Sequence, residues 1–297
     1  MRSPITWFGG KGPLVKLLLE LMPPHRFYVE PFGGSAALLF AKPPAEVETY
    51  NDIDEGVVNL FHVLRDPDQF REFKRLCSFT LYSRAEYNEA RRTWVSERDP
   101  VRRAWKWFVV NRMSFGGQFG SSFGTTITTS SANMACECHK WLAAKKRLDA
   151  ARRRLERVQI ECADWRVILK RYCGEGYLCY CDPPYVHSTR KRERYKHELT
   201  DDDHEELVEK LLEYDGMVML SGYRNAIYER LEREGWTRHD KETSCHVAGR
   251  TRATGILGEG AAKRMQPRVE SVWLNPAAQR AGENDLLSGA KHKPSEV

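Results

Sequence analysis

Four consecutive segments near the start of the chain constrain its fold most. "FYVEP" (Phe27 to Pro31) has the short, bulky, apolar character of a strand, and "GGSAALLFA" (Gly33 to Ala41) reads as a tight turn opening a helix. "VETYNDID" (Val47 to Asp54) is a second strand ending in acids, and Val57 to Leu64 is the next helix. A strand-helix-strand-helix opening predicts an α/β domain, because parallel strands need helical crossovers. Strand signals return at "VQIEC", "YLCYC", "GMVMLSG" and "VESVWLN". From about Phe70 to Arg157 the sequence is instead helix-rich, basic and aromatic, interrupted by the Gly/Ser/Thr-rich "SFGGQFGSSFGTTITTSSAN". A helical insertion therefore splits the α/β domain. The tail after Asn275 is polar and rich in small residues, and is expected to be loosely held.

The 297 residues, 41% hydrophobic and 30% charged, can bury a proper core as one large domain or one domain with an insertion. No apolar run reaches the roughly 18 residues a membrane-spanning helix needs. The opening "MRSPITWFGGKG" lacks the apolar core of a secretory signal, so a cytoplasmic protein is expected, with its eight cysteines as reduced thiols. Cys136, Cys138 and His139 lie close together in "ACECH", but zinc sites come as paired clusters and no second cluster accompanies this one; no metal site is expected. The net charge of +6 is concentrated in "RRAWKW", "KKRLDAARRRLER" and "TRKRERYK". Such clusters suit a polyanion, although a helix from Lys145 to Arg157 also reads as a solvated face.

The strand Tyr177 to Cys181 delivers Asp182 to the edge of a sheet. Pro183 and Pro184 cannot donate to a ladder and fix their own φ, so the chain turns a rigid corner carrying a carboxylate and the ring of Tyr185. Ligands of open α/β sheets bind at the carboxyl ends of strands, which makes "DPPY" a candidate site. Read alone, it is equally a proline turn with a surface Asp and Tyr. The Gly-rich turn from Pro31 to Ala36 permits close approach of a ligand to a helix start, without the G-x-G-x-x-G of dinucleotide folds. About twenty residues on, Asp52 ends the second strand, where a carboxylate can accept from both ribose hydroxyls of a nucleoside-containing cofactor. Asp52 and Asp54 also read as caps of the helix from Glu55.

In order along the chain, "ITWFGGKGPLVKLLLELMP", "YVEPFGGSAALLF", "YNDIDEGVVNLFHVLR" and "YCDPPY" resemble the D12 class of DNA adenine-N6 methyltransferases, most closely its phage-type, Dam-like members. The resemblance covers Ile5 to about Arg65 and Gln159 to about Asn275; the middle matches in position and length alone. It implies a Rossmann-like, S-adenosylmethionine-dependent methyltransferase sheet with a helical DNA-recognition insertion. Residues 1-65 and 158-275 would form the discontinuous catalytic domain, 66-157 the target-recognition insertion, and 276-297 a flexible tail. Carried across, Trp7 and Lys11 of "WFGGK" would contact S-adenosylmethionine, Lys11 near its carboxylate end. Glu30, Pro31, Phe32 and Gly34 would form the cofactor turn, Asp52 would hold the ribose, and Ile53 would pack on the adenine. Asp164 in "CADW" would reach the cofactor adenine with Trp165 alongside. Ala36 stands where the family's F-x-G-x-G has its last glycine. Alanine tolerates a helical φ, so close packing is expected to change more than the turn.

The resemblance also implies a chemistry for the corner. Asp182 and the carbonyl of Pro183 would accept the two N–H bonds of an adenine amine, localise its lone pair and aim it at the sulfonium methyl. Pro184 would keep the corner stiff, and Tyr185 would stack on a base flipped out of the duplex. Arg190, Lys191, Arg192 and Tyr195 would grip the flanking phosphates or close as a lid, or else form a solvated loop before the helix from Thr200. In the insertion Arg91, Arg92, Trp94, Arg102, Arg103, Lys106 and Arg112 are phosphate-binding candidates, while Trp105, Trp107 and Phe108 read as the core of an amphipathic helix. The loop from Phe115 to Asn133 is a candidate groove-entering hairpin. Its Gln118 and Asn133 can pair with adenine, and it offers no arginine for guanine. The expected function is site-specific adenine-N6 methylation of double-stranded DNA, by a monomer or a dimer on DNA, in a bacterial or phage-infected cell. Cytosine-N4 methylation and a non-catalytic DNA-binding protein are the alternatives.

Overall fold

The computed structural model describes residues 1–7, 9–186, 198–244 and 267–288. Five strands run parallel: β1 (Phe27–Glu30), β2 (Val47–Asn51), β3 (Val158–Glu161), β4 (Tyr177–Cys181) and β5 (Met217–Gly222). Two more, β6 (Thr237–Ser244) and β7 (Pro267–Leu274), extend the sheet antiparallel beside β5, in the order β3-β2-β1-β4-β5-β7-β6. Side chains alternate across the sheet. Tyr28, Leu178, Tyr180 and Met219 enter one core, whereas Val29, Cys179, Cys181 and Leu220 enter another on the opposite face. Burial on both faces explains why these strands read as continuous apolar runs.

The crossovers supply the flanking layers. After α1 (Val15–Leu21), α2 (Ala37–Ala41) joins β1 to β2, and α3 (Glu55–Arg65) follows β2. Between α3 and β3 come α4 (Pro67–Phe79), α5 (Arg84–Thr93), α6 (Pro100–Met113), α7 (Cys136–Lys146) and α8 (Leu148–Leu155). On the other face lie α9 (Trp165–Arg171), α10 (Asp201–Leu212) and α11 (Glu229–Arg233), whose Ile168, Leu207 and Leu231 are fully buried. The order reverses at β1, which has β2 on one side and β4 on the other. The crevice outside its carboxyl end is where such sheets bind ligands.

The inserted helices share the core of the sheet. Trp107 and Phe108 of α6 are buried, as expected, in the same cluster as Tyr28, Tyr50 and Phe61, and half-buried Trp105 donates to Thr80 Oγ1 at 2.8 Å. Trp107 lies so close to α3 that a Cβ on Gly56 would fall 2.3 Å from its Nε1. A second tie is ionic. Buried Glu48 of β2 accepts from Lys42 Nζ at 2.6 Å and from Arg154 of α8 at 2.7 Å. The basic stretch from Lys145 to Arg157 is thus two helices breaking at Arg147, and its apolar residues Leu148, Ala151 and Leu155 are buried.

Two expectations differ from the structure. The tail folds as α12 (Pro276–Ser288), with Pro276 in its first turn and Asn275 Oδ1 accepting from Ala278 N at 2.9 Å. Asn275 also bonds Val218 N and Gly216 O, and Ala278 is buried, so a small-residue face packs onto the sheet where a loose tail was expected. Strand β6 carries no apolar run in "TRHDKETS"; it forms because β7 offers it a complete ladder.

Candidate active site

A cavity of about 320 Å³ opens at the carboxyl ends of β1, β2 and β4. Trp7, Lys11, Glu30, Pro31, Phe32, Gly34, Asp52, Ile53, Asp164, Trp165 and Asp182 all line it, so the fold brings together every cofactor candidate named from the sequence. The wall is built by hydrogen bonds between neighbouring strand ends. Gly34 N donates to Asp52 Oδ2 at 2.7 Å, and Asp54 N donates to Asp52 Oδ1 at 2.8 Å. Asp54 in turn accepts from Gly56 N at 2.8 Å and caps α3, the capping role expected of one of these two acids. Asn51 reaches both sides, donating to Pro31 O and Ala163 O and accepting from Ala163 N. Gly33 has no room for a side chain: a Cβ there would stand 2.1 Å from the Tyr50 ring.

Ala36 overturns one expectation. It adopts φ 54, ψ 35, the left-handed region rather than a helical φ, so alanine sits at a position that favours glycine. The turn keeps its shape because Ala36 N donates to Gly33 O at 2.7 Å and the residue is fully buried.

The cavity is rich in carboxylates. Glu30 is buried and its Oε1 accepts from Tyr28 Oη at 2.6 Å and Leu39 N at 3.0 Å. Burial pushes its pKa up to about 7, against the pull of those two donors. At the rim Asp164 caps α9 by accepting from Arg166 N at 2.8 Å, and the Arg166 guanidinium lies 4.3 Å over the Trp165 ring while binding Asp203 and Glu206 of α10. Trp165 itself is buried, 6.0 Å from Phe32, and its Nε1 has no hydrogen-bond partner among the described residues.

The corner Asp182 to Tyr185 stands at the cavity's edge. Cys181 pairs with Leu220, so Asp182 and Ser221 are level on adjacent strands, and Ser221 Oγ lies 3.0 Å from Asp182 Oδ1 as its donor. Tyr180 Oη lies 3.1 Å from the same Ser221 Oγ. Lys11 Nζ is 2.8 Å from Asp182 Oδ1, donates to Tyr185 Oη, and lies 4.4 Å over the Tyr185 ring. Glu270 Oε2 of β7 is 3.8 Å from that ammonium, and the Tyr223 ring rests 4.3 Å from the Tyr185 ring. Burial pushes the Asp182 pKa up, opposed by Lys11 and Ser221. Burial also works against charge on Lys11, but Asp182 and Tyr185 outweigh it and keep the ammonium protonated. Ser221, Tyr223, Glu270 and Arg166 escape a sequence reading. The one available signal is "LSGY", a polar break ending an apolar strand.

The candidate DNA contacts are less coherent. Arg190, Lys191, Arg192 and Tyr195 lie outside the described residues. Arg92 is exposed and paired with Glu89. Arg112 is half-buried: it donates to Lys140 O at 3.2 Å, and burial beside Arg147 lowers its pKa to about 10. Arg103 and Lys106 are engaged by Glu55 and Glu97. Gln118 is exposed, and Asn133 is exposed at φ 53. The loop between them is closed by two bridges, Ser114 to Phe123 and Thr129 to Ala135, with Phe119 packed on Trp94 and Trp107. It is two short anchored loops, not one long hairpin. Among the described residues no group of three or more His, Cys, Asp or Glu could hold a metal, and no helix is long and apolar enough to cross a membrane.

A doubly wound sheet in this order, with its cavity at the switch point, is a Rossmann-like methyltransferase fold. Residues 7–244 match the family model of the D12 class N6 adenine-specific DNA methyltransferases, and the chain belongs to that family. It is similar to the DNA adenine methylase of Serratia marcescens, 25% identical over 195 residues that cover 62% of this chain and 67% of that protein. The DNA adenine methylase of Vibrio cholerae is 24% identical over 189 residues, covering 62% and 65%. The DNA N-6-adenine-methyltransferase of Escherichia phage P1 is 25% identical over 199 residues, covering 62% of this chain and 24% of the phage protein. The matches thus span about two thirds of the bacterial relatives and a quarter of the phage one.

Proposed function

We propose that the chain transfers a methyl group from S-adenosylmethionine to N6 of an adenine extruded from double-stranded DNA, at a specific short site. The observation that carries this reading is the stiff corner at the cavity edge, where Ser221 fixes Asp182 beside the Tyr185 ring. S-adenosylmethionine, when bound, supplies an electrophilic methyl on a positively charged sulfur. The residues present fit such a group. Glu30, Asp52, Asp164 and Asp182 outnumber Lys11 and Arg166 in the wall, Trp7, Phe32 and Trp165 offer ring faces, and the Trp165 Nε1 donor is buried without a partner among the described residues. Because a carboxylate oxygen accepts more than one hydrogen bond, Asp52 can hold the Gly34 turn and a ribose together.

At the corner, Asp182 and the Pro183 carbonyl would accept the two N–H bonds of the target amine and hold its lone pair toward the methyl. As the new bond forms the amine gains positive charge, and acceptance by Asp182 strengthens at that moment. The surplus proton then leaves the amine by way of Asp182. Pro184 keeps both acceptors still, and Tyr185 supports the base from its face. Residues 66–157 would read the DNA, with Gln118 and Asn133 exposed to do so. On this reading the enzyme works in the cytoplasm, as a monomer or as a dimer on DNA.

The test is sequencing that detects modified bases in DNA from cells expressing the chain. N6-methyladenine at one short sequence, absent with Asp182→Ala, supports the reading. N4-methylcytosine would transfer the same corner to a different amine, and no modified base at all would leave a DNA-binding protein.

A further inference from the structure

We propose that Glu270 is a positioning residue for the reaction: it receives the Lys11 ammonium when the target amine takes that ammonium's place against Asp182. The proposal rests on the reading of Asp182 as acceptor for the target amine.

The argument begins with occupancy. Lys11 Nζ sits 2.8 Å from Asp182 Oδ1, the distance at which an amine nitrogen would donate to it, and the same oxygen already accepts from Ser221 Oγ, so both of its lone pairs are engaged. One nitrogen donor thus stands where the other must come. An amine that comes to this oxygen has to displace the ammonium from it. Lys11 is buried, so it cannot simply turn into water, and a buried cation stripped of its carboxylate is strongly destabilised. A second carboxylate is already at hand. Glu270 Oε2 lies 3.8 Å from Nζ, and its side chain is 18% exposed. It belongs to β7, opposite Lys241 of β6 and on the far side of β5 from Asp182. Glu270 is not part of the cavity wall, so a shift of Lys11 toward it clears the corner without entering the space between the two substrates.

The experiment measures base extrusion and methyl transfer on the same full-length variants. A 2-aminopurine placed at the target position reports extrusion by its fluorescence, and single-turnover transfer at saturating S-adenosylmethionine reports the chemistry. Glu270→Gln is expected to lower both by about tenfold or more, as for a partly buried ion-pair partner, with S-adenosylmethionine affinity unchanged by calorimetry. Glu270→Asp should recover most of the loss. In a Lys11→Met background, where no ammonium needs a destination, Glu270→Gln should change extrusion less than twofold, the signature of direct coupling. Wild-type extrusion and transfer by Glu270→Gln would overturn the proposal, and would mean that the carboxylate of the cofactor suffices to hold Lys11. An equal loss from Glu270→Gln with and without Lys11 would overturn it too, since a merely structural role predicts that. If the wild-type chain extruded the base but transferred no methyl, the reading of the preceding section would fail, while the extrusion measurements would still decide the role of Glu270.

Discussion

The backbone N–H of Gly34 donates to Asp52 Oδ2 at 2.7 Å, so the turn after β1 and the acid after β2 form one unit. Asp52→Ala removes both the anchor of the turn and the proposed ribose acceptor. Affinity for S-adenosylmethionine is expected to fall by about 1.5–3 kcal/mol for each bond to a charged group that is lost. Asp52→Asn keeps an oxygen for Gly34 and should fall in between. Calorimetry decides this, and an unchanged affinity in Asp52→Ala would remove Asp52 from the cofactor site.

Asp182→Asn is expected to lower single-turnover methyl transfer by on the order of 10²-fold or more, by analogy with loss of one oxyanion donor, while DNA affinity changes little. An amide still offers one oxygen to Ser221. Ser221→Ala leaves the charge in place and loosens its aim, so its loss should be smaller. Transfer by Asp182→Asn at the wild-type rate would show that the carboxylate does not take part.

Ala36 at φ 54 carries strain of about 1–2 kcal/mol that glycine would not. Glycine returns part of this through the greater freedom of its unfolded chain, by about 0.4–1 kcal/mol. Ala36→Gly should therefore stabilise the protein by up to about 1 kcal/mol, and Ala36→Val should destabilise it by more than that. Denaturant midpoints with a constant slope measure both. A clear drop for Ala36→Gly would mean that the buried methyl contributes more by packing than the backbone loses by strain.

The Glu30 carboxyl, with its pKa pushed up to about 7 by burial, gives stability a pH dependence of defined sign. Between about pH 4.5 and 7 the unfolded chain has released this proton and the folded chain still holds it. Stability from this group therefore falls as pH rises across that window, by about 3 kcal/mol at most, and is flat above it. Glu30→Gln keeps an oxygen for Tyr28 and Leu39 and should remove this contribution, so the difference between wild type and variant carries the slope, while His25, held low by burial, contributes the opposite sign in both. Because a bound cation favours the ionised carboxylate, affinity for S-adenosylmethionine should rise with pH through the same window in the wild type alone. Melting curves and calorimetry from pH 5 to 8 check the two halves separately.

What could be read from the sequence, and what could not, follows from where each signal resides. Strands β1, β4 and β5 announce themselves because both faces are buried, which forces a run of apolar residues. Strand β6 lies at the edge with charged side chains, and its only warrant is the ladder of β7, a long-range fact. The cofactor candidates sit in contiguous motifs at strand ends, so Asp52, Gly34 and Asp182 could be named at once. Ser221 and Glu270 are single residues that gain meaning by standing level with Asp182 or close to Lys11, and nothing local marks them. The bond of Arg112 to Lys140 O was equally hidden, since a basic residue in a basic stretch does not disclose a partner 28 residues away. Ala36 failed because a residue type does not disclose the sign of its φ.

The close fit of Trp107 against Gly56 and the buried contact of Arg154 with Glu48 bear on how the family could change its target site. Recognition segments held by linkers can be exchanged as cassettes between enzymes. The segment proposed here for that role is rooted in the sheet: a transplanted 66–157 segment would bring a new tryptophan position to an α3 whose glycine was shaped for the old one, and would leave Glu48 buried beside whatever replaced Arg154. Exchange would have to carry Gly56 and Glu48 along, although both lie outside the segment. On the proposed reading, diversification of specificity is channelled toward the two anchored loops between Phe115 and Ala135, at positions other than Phe119, which packs on Trp107.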